Sequence, residues 1–446
     1  VNGSANLEGR LFRAIHPASL AVFRMALGCI LMGEVVRDLR GTRIAEHELV
    51  PSFHFKYLGF EWIQVWSPPG LTLHFGILGL LAASIAVGLF HRLAALLFFV
   101  GFSYVFLLDQ AHYLNHFYLV ILLSFLLIFV PAHHALSLDS LWWGRRPVPH
   151  VCLLLLRGQI GLVYLFAGIA KLNPDWLRAE PLQTWLRDRS DIAVLGPMLE
   201  LHATAWIFSY GALLLDLLAW PLLSFGRTRT ATFMVLVGFH LMNSILFGIG
   251  IFPWVMIAAT TLFFPPDWPV RLWPGLERRF PPPSSAPSPR RPRTLIALVT
   301  AYLMIQVLVP LRHLLYPGRV DWTEQGHRFS WHMMLRSKEG KATFRVRDPA
   351  SGESWMVDPR VDLTEDQARK MAGRPDMILQ YAHFLTRKFR ADGHEGVEVR
   401  VTALVTLNDH PARLLVDPEV DLAREKRTIW PAPWILPLSG EGSRPR

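Results

Sequence analysis

Apolar runs of about twenty residues recur along the chain, separated by short polar stretches. They fall at about 17–38, 70–90, 92–109, 116–132, 151–171, 201–224 and 230–247, with a shorter run at about 251–264 and a last one at 295–315. A helix of that length spans the hydrocarbon layer of a bilayer, so each long run predicts a crossing. The tract 230–264 is too long for one crossing and carries "NSILFGIGIFPW", with Gly248, Gly250 and Pro253 as breakers. Proline removes a helical donor and glycine admits left-handed backbone, so two helices joined by a tight turn are predicted there. The expected fold is mainly α: a polytopic transmembrane helical bundle of about nine crossings, one broken helix pair included.

Beyond residue 320 the pattern changes. "KATFRVRDPASGESWMV" alternates on either side of an Asp-Pro-Ala-Ser-Gly turn and predicts two strands. Thr364 and Gln367 have capping-box spacing, and Pro375 opens a second helix running to about Phe389. "VEVRVTALVTLNDHPARLLVD" predicts another strand pair. The division expected is a transmembrane helical domain, 1–319, with a cytoplasmic linker at about 265–294, and a small α+β extramembrane domain, 320–446.

Composition agrees: 52% of the residues are hydrophobic and 18% charged, which excludes an ordinary soluble enzyme. The net charge of +10 comes from loops. Arg10 and Arg13, His91 and Arg92, Arg145 and Arg146, Arg227 and Arg229, and the Pro/Ser/Arg-rich linker all fall on one side when nine crossings are threaded. The positive-inside rule makes that side cytoplasmic and puts the C-terminal domain outside, with anionic lipid rather than nucleic acid as the partner of the basic loops. Cys29 and Cys152 lie within apolar runs, so neither a disulfide framework nor a cysteine metal site is available. The polar opening "VNGSANLEGRLFRAIHP" predicts no cleavable signal peptide.

This topology brings polar residues to one depth. "VCLLLLRGQIGLVYLFAGIAKLNPDW" ends outside with Lys171, and Tyr164 lies two turns earlier on the same helix face. The outer loop "DQAHYLNHFY" supplies Asn115 and His116. His240 and Asn243 precede the helix break, and Arg312 and His313 lead into the outer domain. Broken helices persist in membranes where they line a cavity. Each residue also has a plainer reading: a lysine that snorkels to the headgroups, solvated loop histidines, a His240 that only bonds a neighbouring helix. A second group, Arg24, Arg157 and Asp216, counts to about 10 Å below the inner surface. It reads as a paired structural brace, or alternatively an inner-facing ligand site. A lysine at the hydrocarbon edge can act as a general base, because burial disfavours the ammonium. Such a site suits a lipid-soluble cofactor meeting a polar substrate. No pair has metal-ligand spacing on a single helix, so no metal is expected.

At these residues the sequence resembles the vitamin K-dependent γ-glutamyl carboxylase family, in its bacterial form with the horizontally transferred transmembrane (HTTM) domain. "YVFLLDQAHYLNHFYL", "LRGQIGLVYLFAGIAKLNPDW", "FHLMNSILFGIGIFPWVM" and "LRHLLYPGRVDWTEQGHRFSWHMM" carry the resemblance. It implies an integral membrane carboxylase (a carbon–carbon lyase), which couples epoxidation of vitamin K hydroquinone by O2 to carboxylation of protein glutamate with CO2. Lys171, His116 and Asn115 would be catalytic; Tyr164, His240, Asn243 and Met333 would bind the quinone. His313, Trp322 and Trp331 would bind a glutamate-containing peptide or protein. The implied setting is a bacterial inner membrane, with the N-terminus cytoplasmic and the C-terminal domain periplasmic or extracellular. Ala170 stands where animal members have a second lysine, and His327 where a tyrosine is usual. Two other functions fit the same residues: a quinol-dependent oxygenase with an altered or lost carboxylation substrate, and a non-catalytic quinone- or lipid-binding protein.

Overall fold

The computed structural model describes residues 8–192, 195–279 and 292–438. The first residues of the polar opening and the middle of the linker, 280–291, lie outside the described residues. Among the described residues, nine apolar helices follow the runs of the sequence: α1 (Ala18–Arg40), α2 (Pro68–Val87), α3 (His91–Leu108), α4 (Asn115–Phe129), α5 (His150–Ala170), α6 (His202–Ser224), α7 (Arg229–Phe247), α8 (Phe252–Thr260) and α9 (Pro292–Leu311). Seven of them are long and apolar enough to cross a membrane; the helices at Asn115–Phe129 and Phe252–Phe263 are shorter. The expected break is present. α7 stops at Gly248 with φ 57°, Gly250 follows with φ 62°, and Pro253 sits in the first turn of α8.

Close packing sets the helix pairs. A Cβ added at Gly28 of α1 would lie 2.5 Å from the Ala86 nitrogen of α2. Gly161 and Gly168, two turns apart on α5, admit Trp220 and Leu217 of α6 in the same way, and a Cβ at Gly168 would lie 2.8 Å from the Leu217 nitrogen. Small residues permit this approach where lipid supplies no hydrophobic drive between helices.

The C-terminal region forms the expected small α+β domain. Strands β1 (Lys338–Arg347), β2 (Ser354–Val357), β3 (Glu398–Leu407) and β4 (His410–Leu414) make an antiparallel sheet in the order β2-β1-β3-β4, with Phe344 opposite Val401. Alternate residues of β1 and β3, among them Phe344, Val346, Val399 and Val401, point into a core shared with α10 (Glu365–Ala372) and α11 (Pro375–Ala391). The capping box at Thr364 and Gln367 starts α10; such a cap is worth about 1 kcal/mol.

The domain rests on two loops of the helical part. Gln367 donates to Asp109 Oδ2 at 2.7 Å, and the Lys56 backbone N–H donates to Gln380 Oε1 at 2.8 Å. Asp175, just after α5, accepts from Arg319 at 2.6 Å and from Asn408 at 2.8 Å. Buried carboxylates paired in this way fix the domain against the bundle end where α3 and α5 finish.

Candidate functional site

Between the bundle and the C-terminal domain, the outer domain of the expected topology, lies a cavity of about 1140 Å³. Asn115, His116, Tyr164, Lys171, His240, Asn243 and Met333 all line it, so seven of the ten residues expected at a site converge there. The other three do not reach it. Trp322 is fully buried and donates its indole N–H to the Leu436 carbonyl at 2.7 Å, anchoring the last segment of the outer domain. Trp331 is buried against the Tyr118 ring, centroids 5.1 Å apart. His313 bonds the Pro310 carbonyl through Nδ1 at 2.7 Å and packs edge-on to His332. All three pack at the junction and are not part of the cavity lining.

Lys171 closes α5, and its side chain turns back over the last helical turn. Nζ donates to the Ala167 carbonyl at 3.2 Å and to Asp216 Oδ2 at 2.7 Å. The residue is 5% exposed, which excludes a snorkelling anchor. The Trp176 ring lies 5.3 Å from Nζ on another side. Asp216 is therefore not part of an inner brace. The close approach at Gly168 and Leu217 sets Asp216 beside the end of α5. Arg24 and Arg157 instead bond backbone carbonyls: Arg24 those of Ile85, Ala86, Ala132 and Leu136, Arg157 those of Leu262, Phe263 and Phe264. Both guanidiniums cap helix C-termini, where the free carbonyls and the dipole favour a cation. Residue counting put the three at one level; Asp216 instead meets Lys171 at the end of α5.

Tyr164 Oη and His240 Nε2 are hydrogen-bonded at 2.8 Å across α5 and α7. With the tyrosine donating, a neutral imidazole carries its proton on Nδ1, which is buried and has no hydrogen-bond partner among the described residues. Phe252, at the start of α8, has its ring 6.1 Å from His240 and 6.4 Å from His116. The helix break thus inserts an aromatic wall between the two histidines. Asn115 is held at both ends: Oδ1 accepts from Tyr113 at 2.9 Å and Nδ2 donates to the His332 carbonyl at 3.3 Å. The Tyr113 hydroxyl in turn accepts from the Phe329 N–H at 2.7 Å. Phe329, Trp331 and Met334 all have positive φ, of 62°, 59° and 50°. Each such non-glycine residue costs of order 1–3 kcal/mol, and a strained segment of this kind persists where its surroundings hold it. This one presents Met333 and Met334 to the cavity.

The cavity has two ends of different character. Its wall between α6 and α7 is apolar and faces outward, with Ile207 68% and Leu214 54% exposed. Its other end, under the outer domain, carries Arg37, Arg43, Arg328, Arg336 and Arg374 with Glu324 and His327. Four of these arginines have a carboxylate partner: Arg37 and Arg43 with Glu34, Arg328 with Asp376, Arg336 with Glu324. Arg374 has none within 4.0 Å among the described residues. Burial and the neighbouring Arg328 guanidinium pull its pKa down to about 10. His327 and His332 are held neutral, burial first and adjacent cations second.

Sequence reasoning missed Asp216, Trp176 and this arginine group as site residues. Asp216 had a visible signal, since it is the one acidic residue in α6, and an acid inside a span seldom lacks a role. Arg374 had none, because it reaches the cavity only through the fold of the outer domain. Among the described residues, one trio has metal-ligand geometry, Asp175, Glu180 and His410. It lies outside the cavity lining, and its Asp175 oxygens already accept from Arg319 and Asn408.

No solved structure matches the chain. Residues 12–268, more than half of its length, match the HTTM domain, and residues 291–441 match the vitamin K-dependent gamma-carboxylase lumenal domain. The boundary between the two matches falls just before α9, which leads into the outer domain under which the cavity lies. With both domains present in this order, the chain belongs to the vitamin K-dependent γ-carboxylase family.

Proposed function

We propose that this chain carboxylates the γ-carbon of glutamate side chains in a polypeptide, using CO2 and the oxidation of vitamin K hydroquinone by O2. The observation that carries the reading is the Lys171–Asp216 pair, buried in the wall of a cavity that is apolar on its outward side and cationic beneath the outer domain.

The residues fit a quinol with an isoprenoid tail. The exposed apolar wall between α6 and α7 suits lateral entry from lipid, and 1140 Å³ exceeds what a small ligand alone needs. His240 Nδ1 is buried with no hydrogen-bond partner among the described residues and is left for a polar headgroup. When bound, the quinol supplies the reducing electrons and, on oxygenation, the strong base that an unactivated glutamyl carbon requires.

The protein's own work is proton handling and placement. The Lys171 amine and the Asp216 carboxyl are buried 2.7 Å apart, and an unprotonated amine is a base. Lys171 Nζ then takes the proton of a phenolic hydroxyl placed within reach. The ammonium produced is stabilised by Asp216 and by the face of Trp176. Tyr164 and His240 orient the headgroup, and the Met333 segment closes the cavity against water. Arg374, a half-buried cation with no carboxylate within 4.0 Å among the described residues, suits the carboxylate of the incoming glutamyl residue. The setting proposed is a bacterial inner membrane with the outer domain on the non-cytoplasmic face, the arrangement that agrees with the basic loops.

Incubating the purified protein with vitamin K hydroquinone, labelled bicarbonate and a glutamate-containing peptide tests the reading. Label in the peptide together with epoxide is expected. Epoxide without label would mark a quinol oxygenase, and bound quinone with neither product a non-catalytic carrier.

A further inference from the structure

A second pocket, of about 350 Å³, lies at the other end of the bundle. Its place follows from α3. The last carbonyl of α3, that of Leu108, accepts from Lys56, and Asp109 accepts from Gln367 of the outer domain. The first turn, at His91 and Arg92, is at the other end of this 18-residue helix, a rise of about 26 Å. The pocket is therefore one hydrocarbon thickness from the outer domain.

Arg92, Arg146, His133, His134, Asp139 and Trp143 line it. Neither arginine has a carboxylate within 4.0 Å among the described residues. The one acid is already committed: Asp139 Oδ1 accepts from the Phe90 N–H at 2.7 Å and Oδ2 from the His91 N–H at 2.9 Å. His133 Nδ1 is buried and has no hydrogen-bond partner among the described residues. Among the described residues the two guanidiniums of the pocket thus have no carboxylate partner. Beside it, Phe90, Trp142 and Trp143 are each more than half exposed and form a cluster, with ring centroids 5.9 to 6.3 Å apart. Exposed tryptophans at this level belong in the headgroup layer.

We propose that this pocket seats the phosphate of an anionic phospholipid from the leaflet opposite the outer domain, with Arg92 and Arg146 on the phosphate and the three aromatic rings among the headgroups. Basic pockets between spans on the cytoplasmic side recognise lipid headgroups by this chemistry. A free phosphate would satisfy the arginines equally, but would give the aromatic cluster nothing to enter. The assignment is independent of the reaction at the main cavity.

The test uses the full chain in detergent, with phosphatidylglycerol, phosphatidylcholine and inorganic phosphate as probes and native mass spectrometry as the readout. Two basic contacts near a membrane surface predict about a 30-fold preference for phosphatidylglycerol over phosphatidylcholine. The R92Q/R146Q double variant, whose altered side chains are at the protein surface, is expected to elute and melt as the parent does and to lose the preference. Trp142→Ala with Trp143→Ala is expected to weaken both lipids while keeping their order. Equal binding of the two lipids by the parent overturns the proposal. So does a preference that survives in R92Q/R146Q, or one abolished by millimolar inorganic phosphate.

Discussion

Replacing Asp216 by Asn strands the Lys171 amine in the cavity wall, and the size of the damage can be worked out in advance. At 2.7 Å and an effective dielectric of about 20, the attraction between the two groups is about 6 kcal/mol before desolvation is subtracted. Experience with buried pairs puts the loss on removing one partner at about 3–5 kcal/mol, whereas replacing both by apolar groups of similar size is neutral or stabilising. Asp216→Asn and Lys171→Met should therefore each destabilise by that amount, and Lys171→Met/Asp216→Leu should recover most of it. Chemical denaturation in detergent, followed by helical circular dichroism, gives the cycle. Additive single losses in the double variant would refute the pairing.

Gly168→Val should push α6 away from α5, because a Cβ already falls 2.8 Å from the Leu217 nitrogen. A shift approaching 1 Å at the Lys171–Asp216 pair predicts a loss of up to about 100-fold in turnover from a protein that still folds, checked by label incorporation alongside size-exclusion behaviour. Arg374→Gln should raise the KM for the glutamyl peptide by about 10- to 100-fold, the worth of a charge-assisted hydrogen bond, with a much smaller change in kcat and partial rescue by Arg374→Lys; a KM within about twofold would remove Arg374 from peptide binding. Lys338 lies buried beside Glu324 and Trp322, and burial draws its pKa down to about 8. Between pH 8 and the unfolded value of 10.5 the unfolded chain binds the extra proton, so stability rises across that window; Lys338→Met should flatten the rise.

The helical part of this protein was legible because lipid imposes length and polarity on every span. The nine apolar runs coincide with helices to within a few residues, and Gly248, Gly250 and Pro253 gave away the break. The outer domain was legible through local chemistry: the Thr364–Gln367 box and the alternation along β1 and β3. Convergence of Asn115, His116, Tyr164, Lys171, His240 and Asn243 followed from topology alone, since short loops leave the spans few ways to alternate. Pairing did not follow. Asp216 was placed with Arg24 and Arg157 because a count of residues carries no tilt, and because nothing in "GALLLDLLAW" says which neighbour its face meets. Trp322 and Trp331 were named through the resemblance alone, since a buried tryptophan and one that lines a cavity look alike in a sequence. Arg374 was invisible for the complementary reason, that its role depends on which other arginines already have acids.

The central claim is that the amine of Lys171 starts the chemistry, and the most direct measurement counts both products on one sample. Parent and Lys171→Met/Asp216→Leu, the variant expected to keep its fold, are incubated with vitamin K hydroquinone, O2, labelled bicarbonate and a glutamyl peptide. The parent should release epoxide and incorporate label, and the paired variant should do neither while binding quinone as before. Epoxide formed by the variant at a rate near the parent's would contradict the account.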